Sequence, residues 1–415
     1  MNAICQEKYA AVIGIDWADR KHDICLSDAR ASSLEFTTLA HKPEAIDAWA
    51  NALWDRFHDQ PVAVCLEQSK GPLIYALMKY DFITLFPINP QTVARYRRAF
   101  TTSRAKDDPR DAEILVELFD RHPDKLRPWS PGSVELRALQ QLVEMRRRLV
   151  ADKVRIINRL TAALKNYYPQ PLEWFQDKDT DIFCDFLTRW PTLKQVQRAR
   201  KQTLLTFFTN HNARYPAINA QRVTAIKGAS PLTNDAGVIQ PNQLLVQALV
   251  QQLKVILENI RQFDTTIHDL FKQHDDANLF SALPGAGAQF APRLLAAFGE
   301  DRNRYTQAGD LLQYAGIAPV TERSGQKSWV HWRYSCPKFM RQSFIEWARE
   351  SIRHSFWARS FYQQQREKGK SHQIAVRALA FKWIRILFRC WQDHKPYDEA
   401  KYLMALKDKG SPLLN

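Results

Sequence analysis

The run Tyr9–Ala18, YAAVIGIDWA, constrains this chain more than any other stretch. Residues 9 to 15 are small or apolar, apart from the ring hydroxyl of Tyr9, and β-branched Val12, Ile13 and Ile15 favour a pleated strand inside a core. Asp16 then stands where the apolar run should continue. A carboxylate at the end of a buried strand carries a desolvation cost that a cation or a set of donors must offset. Asp16 is therefore a candidate metal ligand to which the rest of the chain brings partners.

At 415 residues the chain is long enough for about three domains, and 45% hydrophobic residues argue against disorder. It carries 59 Lys and Arg against 44 Asp and Glu, a net charge of +15, with a pI near 9.5. That excess points first to nucleic acid and second to an anionic membrane surface. No stretch reaches the length of a transmembrane helix, and no signal peptide is expected, because Asp16 breaks the early apolar run. The cysteines at 5, 25, 65, 184, 336 and 390 form no CxxC pair, which argues against a disulfide framework and a zinc site. The composition reads as a soluble, cytoplasmic, polyanion-seeking chain.

The first third alternates strand and helix signals. Strands are expected at 9–18, 21–27 and 34–39, then a helix at 43–58 with Ile46, Trp49, Ala50, Leu53, Trp54 and Phe57 at helical spacing. A strand at 62–67 ends in Glu67, a helix follows at 72–80, a strand at 83–88, and helices at 91–100 and 109–121. The order βββαβαβα allows an antiparallel meander to which later strands add in parallel. This is the element order of a ribonuclease H-like domain, placed at residues 1–125.

The Pro-rich stretch 123–132 marks a boundary. Beyond it a long helix is expected over 133–167, with Leu136, Val143, Val150, Ile157 and Leu164 every seven residues, although Arg146 and Lys153 interrupt the other seam. A complete heptad runs from Val246 through Leu249, Leu253, Ile256, Ile260, Phe263 and Ile267 to Leu270. These two helices define a coiled-coil-like region over 132–275, either packed on each other or forming a dimerising stalk, with an irregular insert at about 169–240. Residues 278–415 form a mainly helical last domain. Its segment 326–415 holds eighteen Lys and Arg against seven Asp and Glu, interleaved with aromatics such as Trp329, Trp332 and Tyr334.

Asp16 and Glu67 fall on strands that neighbour each other in such a sheet. In KDDPRDAEIL, Asp108 and Asp111 lie three apart at a helix start and so share a face. Two Mg²⁺ ions would resolve the repulsion among four carboxylates and suit a phosphodiester transfer. Taken alone, Asp108-Pro109 with Asp111 is also an ordinary helix start, with an N-cap, Pro at N1 and an acid at N3. Further on, Leu283-Pro284-Gly285-Ala286-Gly287 resembles a helix–hairpin–helix turn whose backbone N–H groups can approach a phosphate. Ser324-Gly325 reads as a turn; spacing does not favour Ser324 as a nucleophile over Ser328 or Ser335, and no sequence-local His or Asp would activate it.

These segments together resemble the bridge-RNA-guided recombinases of the insertion-sequence family numbered one-hundred-and-ten, also called DEDD transposases. GIDWADRKHD is similar to the family's first motif and carries Asp16; CLEQSKG is similar to the second and carries Glu67, with Gln68-Ser69-Lys70 departing from the family's pattern. AKDDPRDAEIL resembles the third and carries Asp108 and Asp111, with Asp107 standing in place of a Thr as a competing ligand. LPGAGAQFAPRLLAAFG, LLQYAGIAPVTERSGQKS and RYSCPKFMRQSF look like the C-terminal transposase domain, whose serine maps to Ser324. The resemblance implies a RuvC-like domain binding Mg²⁺ or Mn²⁺, and a covalent phosphoserine link to DNA. It also implies a structured noncoding guide RNA pairing with donor and target DNA, and a homo-oligomer, dimer or tetramer, in which different protomers complete the site. The expected place is the cytoplasm, at the nucleoid, with no membrane partner. Two other readings stay open: a metal-dependent nuclease of the junction-resolvase type, and a non-catalytic nucleic-acid-binding protein that kept the fold.

Candidate nucleic-acid contacts are Arg95, Arg97, Arg98, Arg104 and Lys106 ahead of the third acidic motif, Gly285 and Gly287 in the turn, and Arg323, Lys327, Arg333, Lys338 and Arg341 around the serine. A solvated helix face is an equal alternative for the first group.

Overall fold

The computed structural model describes residues 8–414 except 32, 59, 69, 101–107, 212 and 214, with the backbone alone at 108 and 414. Residues divide into two compact units, Met1–Pro131 and Gly132–Asn415.

In the first unit the order is β1 (Ala11–Asp16), β2 (Lys21–Asp28), β3 (Leu34–Ala40), α1 (Pro43–Phe57), β4 (Val62–Leu66), α2 (Pro72–Leu77), β5 (Ile83–Pro87), α3 (Pro90–Phe100) and α4 (Asp108–Arg121). The five strands form one sheet, β3-β2-β1-β4-β5. β1 pairs antiparallel with β2 and parallel with β4, β2 pairs antiparallel with β3, and β4 parallel with β5. This is the expected meander with parallel additions, and the element bounds lie close to those read from the sequence.

Alternation along the central strands sorts side chains to two covered faces. Ala11, Ile13 and Ile15 of β1, with Val62, Val64 and Leu66 of β4, pack against Ile46, Ala50, Leu53 and Phe57 of α1 and Leu73, Ile74 and Leu77 of α2. Val12, Ala63, Cys65 and Phe86 face the other way, against Ala112, Leu115 and Phe119 of α4. Helix α4 sits directly on β1. A Cβ at Gly14 would stand 2.0 Å from the Ala112 carbonyl oxygen and 3.1 Å from the Leu115 Cβ.

The second unit is built on two long helices, α5 (Val134–Tyr167) and the later α11 (Ala236–Gln273). The Ser133 hydroxyl caps α5 by accepting from the Leu136 N–H at 3.1 Å. Leu136, Leu139 and Val143 share a core with Ile267 and Phe271, while Ile156, Leu160 and Leu164 share another with Val246, Leu249 and Leu253. The two helices therefore run antiparallel against each other within the chain. Arg146 and Lys153, which interrupt the heptad, carry the carboxylates of Asp264 and Asp179. Between them lie α6 (Pro171–Trp174), α7 (Asp181–Arg189), α8 (Leu193–Arg198), α9 (Lys201–Asn210) and α10 (Pro216–Gly228). These make the insert a packed helical body around Phe183, Phe186, Leu204 and Phe208.

The remainder comprises α12 (Ala277–Ser281), α13 (Gly287–Phe298), α14 (Ala308–Tyr314), the hairpin β6 (Val320–Ser324) and β7 (Lys327–His331), then α15 (Lys338–His354), α16 (Phe356–Glu367), α17 (His372–Gln392) and α18 (Glu399–Asp408). Of its tryptophans, Trp347, Trp357, Trp383 and Trp391 are fully buried. Each indole N–H has an acceptor: Pro284 O, Tyr397 OH, Ser351 Oγ and Gly299 O respectively. Trp329, Trp332, Tyr334 and Phe356 remain exposed. Among the described residues no helix is long and apolar enough to cross a membrane.

Candidate functional site

The parallel register pairs Ile15 with Leu66, so Asp16 and Glu67 are the next in-line positions of neighbouring strands. Ile15 and Leu66 face α1 and α2. The next residue on each strand turns to the opposite face, where α4 lies. Asp111 precedes Ala112 on that helix and is 4% exposed. Three candidate acids thus lie on the α4 side at one end of the sheet. A further acid belongs to the same face: Asp23 of β2 is the register partner of Asp16. The sequence reading missed it, although it closes the quoted motif GIDWADRKHD.

Like charges at such spacing repel unless compensated. One compensation is a cation from the chain itself. The Arg97 guanidinium lies 2.5 Å from the Asp111 carboxylate. Arg97, a candidate nucleic-acid contact, is thus ion-paired with one of the acids. Arg95 and Arg98 of α3 are exposed. Arg104, Lys106 and Asp107 lie outside the described residues, as does the Asp108 side chain. Among the described residues no three His, Cys, Asp or Glu side chains converge on one point. The donor chemistry, carboxylate oxygens alone, suits a hard divalent ion such as Mg²⁺ rather than zinc.

The loop after Asp16 is held by a histidine pair. Buried His22 accepts from the Ala18 backbone N–H at Nδ1, 3.3 Å. Its Nε2 then carries the hydrogen and donates to His41 Nδ1 at 3.0 Å. Trp17 stacks on the His22 ring. Burial, and secondarily the neighbouring His41, pulls the His22 pKa down to about 4. An unfolded chain binds this proton near pH 6.5, whereas the native one keeps it off until about 4. Between those values the unfolded state holds more protons, so stability falls as pH drops. The slope is at most about 1.4 kcal/mol per pH unit. The denaturant midpoint of the wild type is expected to fall between pH 6.5 and 5, and His22→Gln to flatten that dependence. A wild-type midpoint independent of pH across this window overturns the assignment.

In the second unit, Ser324 ends β6 and pairs with Lys327 of β7. The turn between them is Gly325-Gln326, with Gly325 at φ 57°, the backbone conformation that a type II′ hairpin turn demands of its first central residue. Cross-strand partners share a face. Ser324 and Lys327 therefore lie on one side with Glu322, Trp329 and His331, while Arg323 and Ser328 lie on the other. Glu322 accepts from His331 Nε2 at 2.8 Å and from Trp329 Nε1 at 2.9 Å. His331 Nδ1 stands 3.1 Å from the Trp332 carbonyl. Two oxygens facing the two ring nitrogens are satisfied only by the imidazolium, and Glu322, foremost, holds the His331 pKa up.

The hairpin is anchored by a residue the sequence gave no reason to single out. Arg377 of α17 donates to the carbonyls of Ile317, 3.0 Å, and Gly316, 2.9 Å, and lies 3.6 Å over the Trp332 ring. Lys338 is exposed at the start of α15, while Arg333 is half-buried. Half-buried Arg341 donates to the Arg333 carbonyl at 3.3 Å.

Gly285 and Gly287 both have positive φ, 70° and 49°. A Cβ on Gly285 would meet His354 Cδ2 at 2.9 Å and the Glu350 backbone at 3.3 Å. Gly285 thus serves the packing of this turn on α15. Gly287 faces open space and is exposed.

Residues 13–169 match a family profile described as a transposase, of the DEDD type associated with IS110. Residues 277–363 match one described as the transposase of the IS116/IS110/IS902 family. A mini-circle protein named as a candidate transposase for IS117, from Streptomyces coelicolor, is 30% identical over 97% of this chain and 98% of its own length. The 44.8 kDa protein of insertion element IS116 from Streptomyces clavuligerus is 24% identical over 94% of this chain and 96% of its own. The 42 kDa protein of IS900 from Mycobacterium paratuberculosis is 28% identical over 81% and 84%.

Proposed function

Given that the chain belongs to the IS116/IS110/IS902 family of transposases, we propose that it exchanges DNA strands through a covalent phosphoserine at Ser324, assisted by divalent metal at the acidic sheet edge. The supporting observation is the pairing of two features. Asp16, Glu67 and Asp111 share one face of a mixed α/β sheet, which we read as ribonuclease H-like and RuvC-like. A serine tips an exposed hairpin within the second matched segment.

Asp16, Glu67, Asp108 and Asp111 would hold Mg²⁺ or Mn²⁺, with Asp107 as the alternative to Asp108. When bound, such an ion polarises a phosphate and eases ionisation of a hydroxyl. Arg97 holds the Asp111 carboxylate in place. The Ser324 Oγ attacks phosphorus while the bond to a deoxyribose oxygen breaks, and Lys327 across the turn steadies the non-bridging oxygens. The Glu322–His331–Trp329 set and Arg377 hold the hairpin in shape, so less entropy is lost on engaging DNA. The partners are donor and target DNA and a structured noncoding RNA. Delegating sequence choice to base pairing agrees with a basic surface that lacks a zinc finger or a recognisable reading helix. The working form is a homo-oligomer.

The test uses full-length protein, element-end DNA and Mg²⁺, resolved on a denaturing gel. A covalent protein–DNA band is expected. Chelation by EDTA should remove it, and Asp16→Asn or Glu67→Gln should weaken strand exchange at least about 100-fold. Cut DNA with no adduct would favour the metal-only nuclease, and unchanged activity in both acid variants would sink the metal site.

A further inference from the structure

The helical insert carries an uncompensated charge that neither matched segment covers. Residues 186–234 contain eight Lys and Arg and no Asp or Glu, in a chain where 44 of 415 residues are acidic. At that frequency a stretch of this length would hold about five acids, as ordinary mixed surfaces do.

The fold gathers half of this charge at one place. Lys194 and Arg198 sit one turn apart on α8, so they share a face. Arg200 and Lys201 follow at the junction with α9. All four side chains are exposed. Beneath them the joint is packed through Leu193, Val196, Leu204 and Phe207. It is also tied to the end of α10. Gln197 Nε2 donates to the carbonyls of Ile226, 3.0 Å, and Ala229, 2.7 Å, and Lys227 Nζ donates to those of Gln197 and Ala199. The backbone is thus fixed while the four cations point to solvent.

The acids nearest in sequence are already engaged elsewhere. Asp179 pairs with Lys153, Asp181 with Arg261, and Asp185 with Lys254 and His211. Those partners belong to the long helices, except His211 at the end of α9. Four clustered cations repel one another, and nothing among the described residues offsets them. Such a surface suits a polyanion whose charges repeat at regular spacing.

We propose that the α8–α9 joint, through Lys194, Arg198, Arg200 and Lys201, is a docking surface for the sugar–phosphate backbone of a DNA duplex. It contacts phosphates, and so positions the duplex without reading its sequence. The inference needs only a chain that handles nucleic acid and does not depend on the serine chemistry.

The experiment measures binding of full-length protein to fluorescent duplexes of about 30 base pairs, one of DNA and one of RNA, between 50 and 200 mM salt. In Arg198→Ala/Arg200→Ala/Lys201→Ala, loss of three phosphate contacts should reduce the slope of log K against log salt by about 2.7 on DNA. Affinity for the DNA duplex should fall at least about tenfold. Loss on the RNA duplex alone would make RNA the occupant and overturn the proposal. Unchanged slope and affinity on both overturns the proposal. A second readout, independent of any folding defect, is acetylation of the wild type: Lys194 and Lys201 should be protected by bound duplex, and full reactivity at both overturns the assignment. Adduct formation on element-end DNA, measured alongside, separates this outcome from failure of the serine reading.

Discussion

Ser324→Ala is expected to abolish the covalent protein–DNA adduct and to lower strand exchange at least about 10³-fold, while leaving the fold intact. The side chain is exposed at the end of β6, and the turn that follows depends on Gly325 rather than on the serine hydroxyl. Thermal unfolding of the variant should therefore match the wild type. Ser328→Ala is the control, because Ser328 pairs with Arg323 on the opposite face of the hairpin. It should keep the adduct. Lys327→Ala should weaken the reaction without removing the adduct, since it takes away a charge beside the phosphate and not the nucleophile. An adduct that persists in Ser324→Ala on a denaturing gel overturns the assignment. A variant that still cuts DNA at near-normal rate, with no adduct in either protein, returns the chemistry to metal-activated water.

The serine's setting was the least legible part of the sequence, for a physical reason. Period-two alternation marks a strand only when one face is buried. In β6 and β7 nearly every position is exposed on both faces, so VTERSGQKSWVH carries no such signal and reads as a turn with basic flanks. The central sheet is the opposite case. Strands β1 and β4 are buried on both faces, and their continuous apolar runs, punctuated by Pro61, Pro72 and Asn89-Pro90, set their places closely. The insert escaped for a third reason. Its apolar residues are spread over five short helices that bury them against α5 and α11, and a helix of six or nine residues is too short to display its period. Arg97 shows the same limit in one residue. Its neighbours in sequence suggest a basic surface helix, and only the tertiary approach of α4 gives it Asp111 as partner.

Gly14→Ala should uncouple that tertiary approach and is the most severe single change expected in the first unit. The added Cβ would lie 2.0 Å from the Ala112 carbonyl oxygen, a backbone atom that cannot swing aside, and 3.1 Å from the Leu115 Cβ. Either β1 or α4 has to move. Overpacking of this kind costs about 3 kcal/mol or more when backbone must shift. The displaced helix is the one that carries Asp108 and Asp111, so the acids would separate from Asp16 and Glu67 even in molecules that fold. Strand exchange should then fall about 100-fold, consistent with the sensitivity of such sites to displacements of about 1 Å. Gly287→Ala provides the contrast: φ is positive there too, but the space is open, so only backbone strain of about 1 kcal/mol is expected. Denaturant midpoints and strand-exchange rates of the two variants decide the matter. If Gly14→Ala is no worse than Gly287→Ala in both, the close contact of α4 with β1 is not what sets the acidic edge. If stability drops but activity per folded molecule is retained, the contact supports the fold without positioning the acids. A loss of both, with Asp16→Asn adding little further, ties the placement of the carboxylates to a glycine that the sequence offers only as an interruption in an apolar strand.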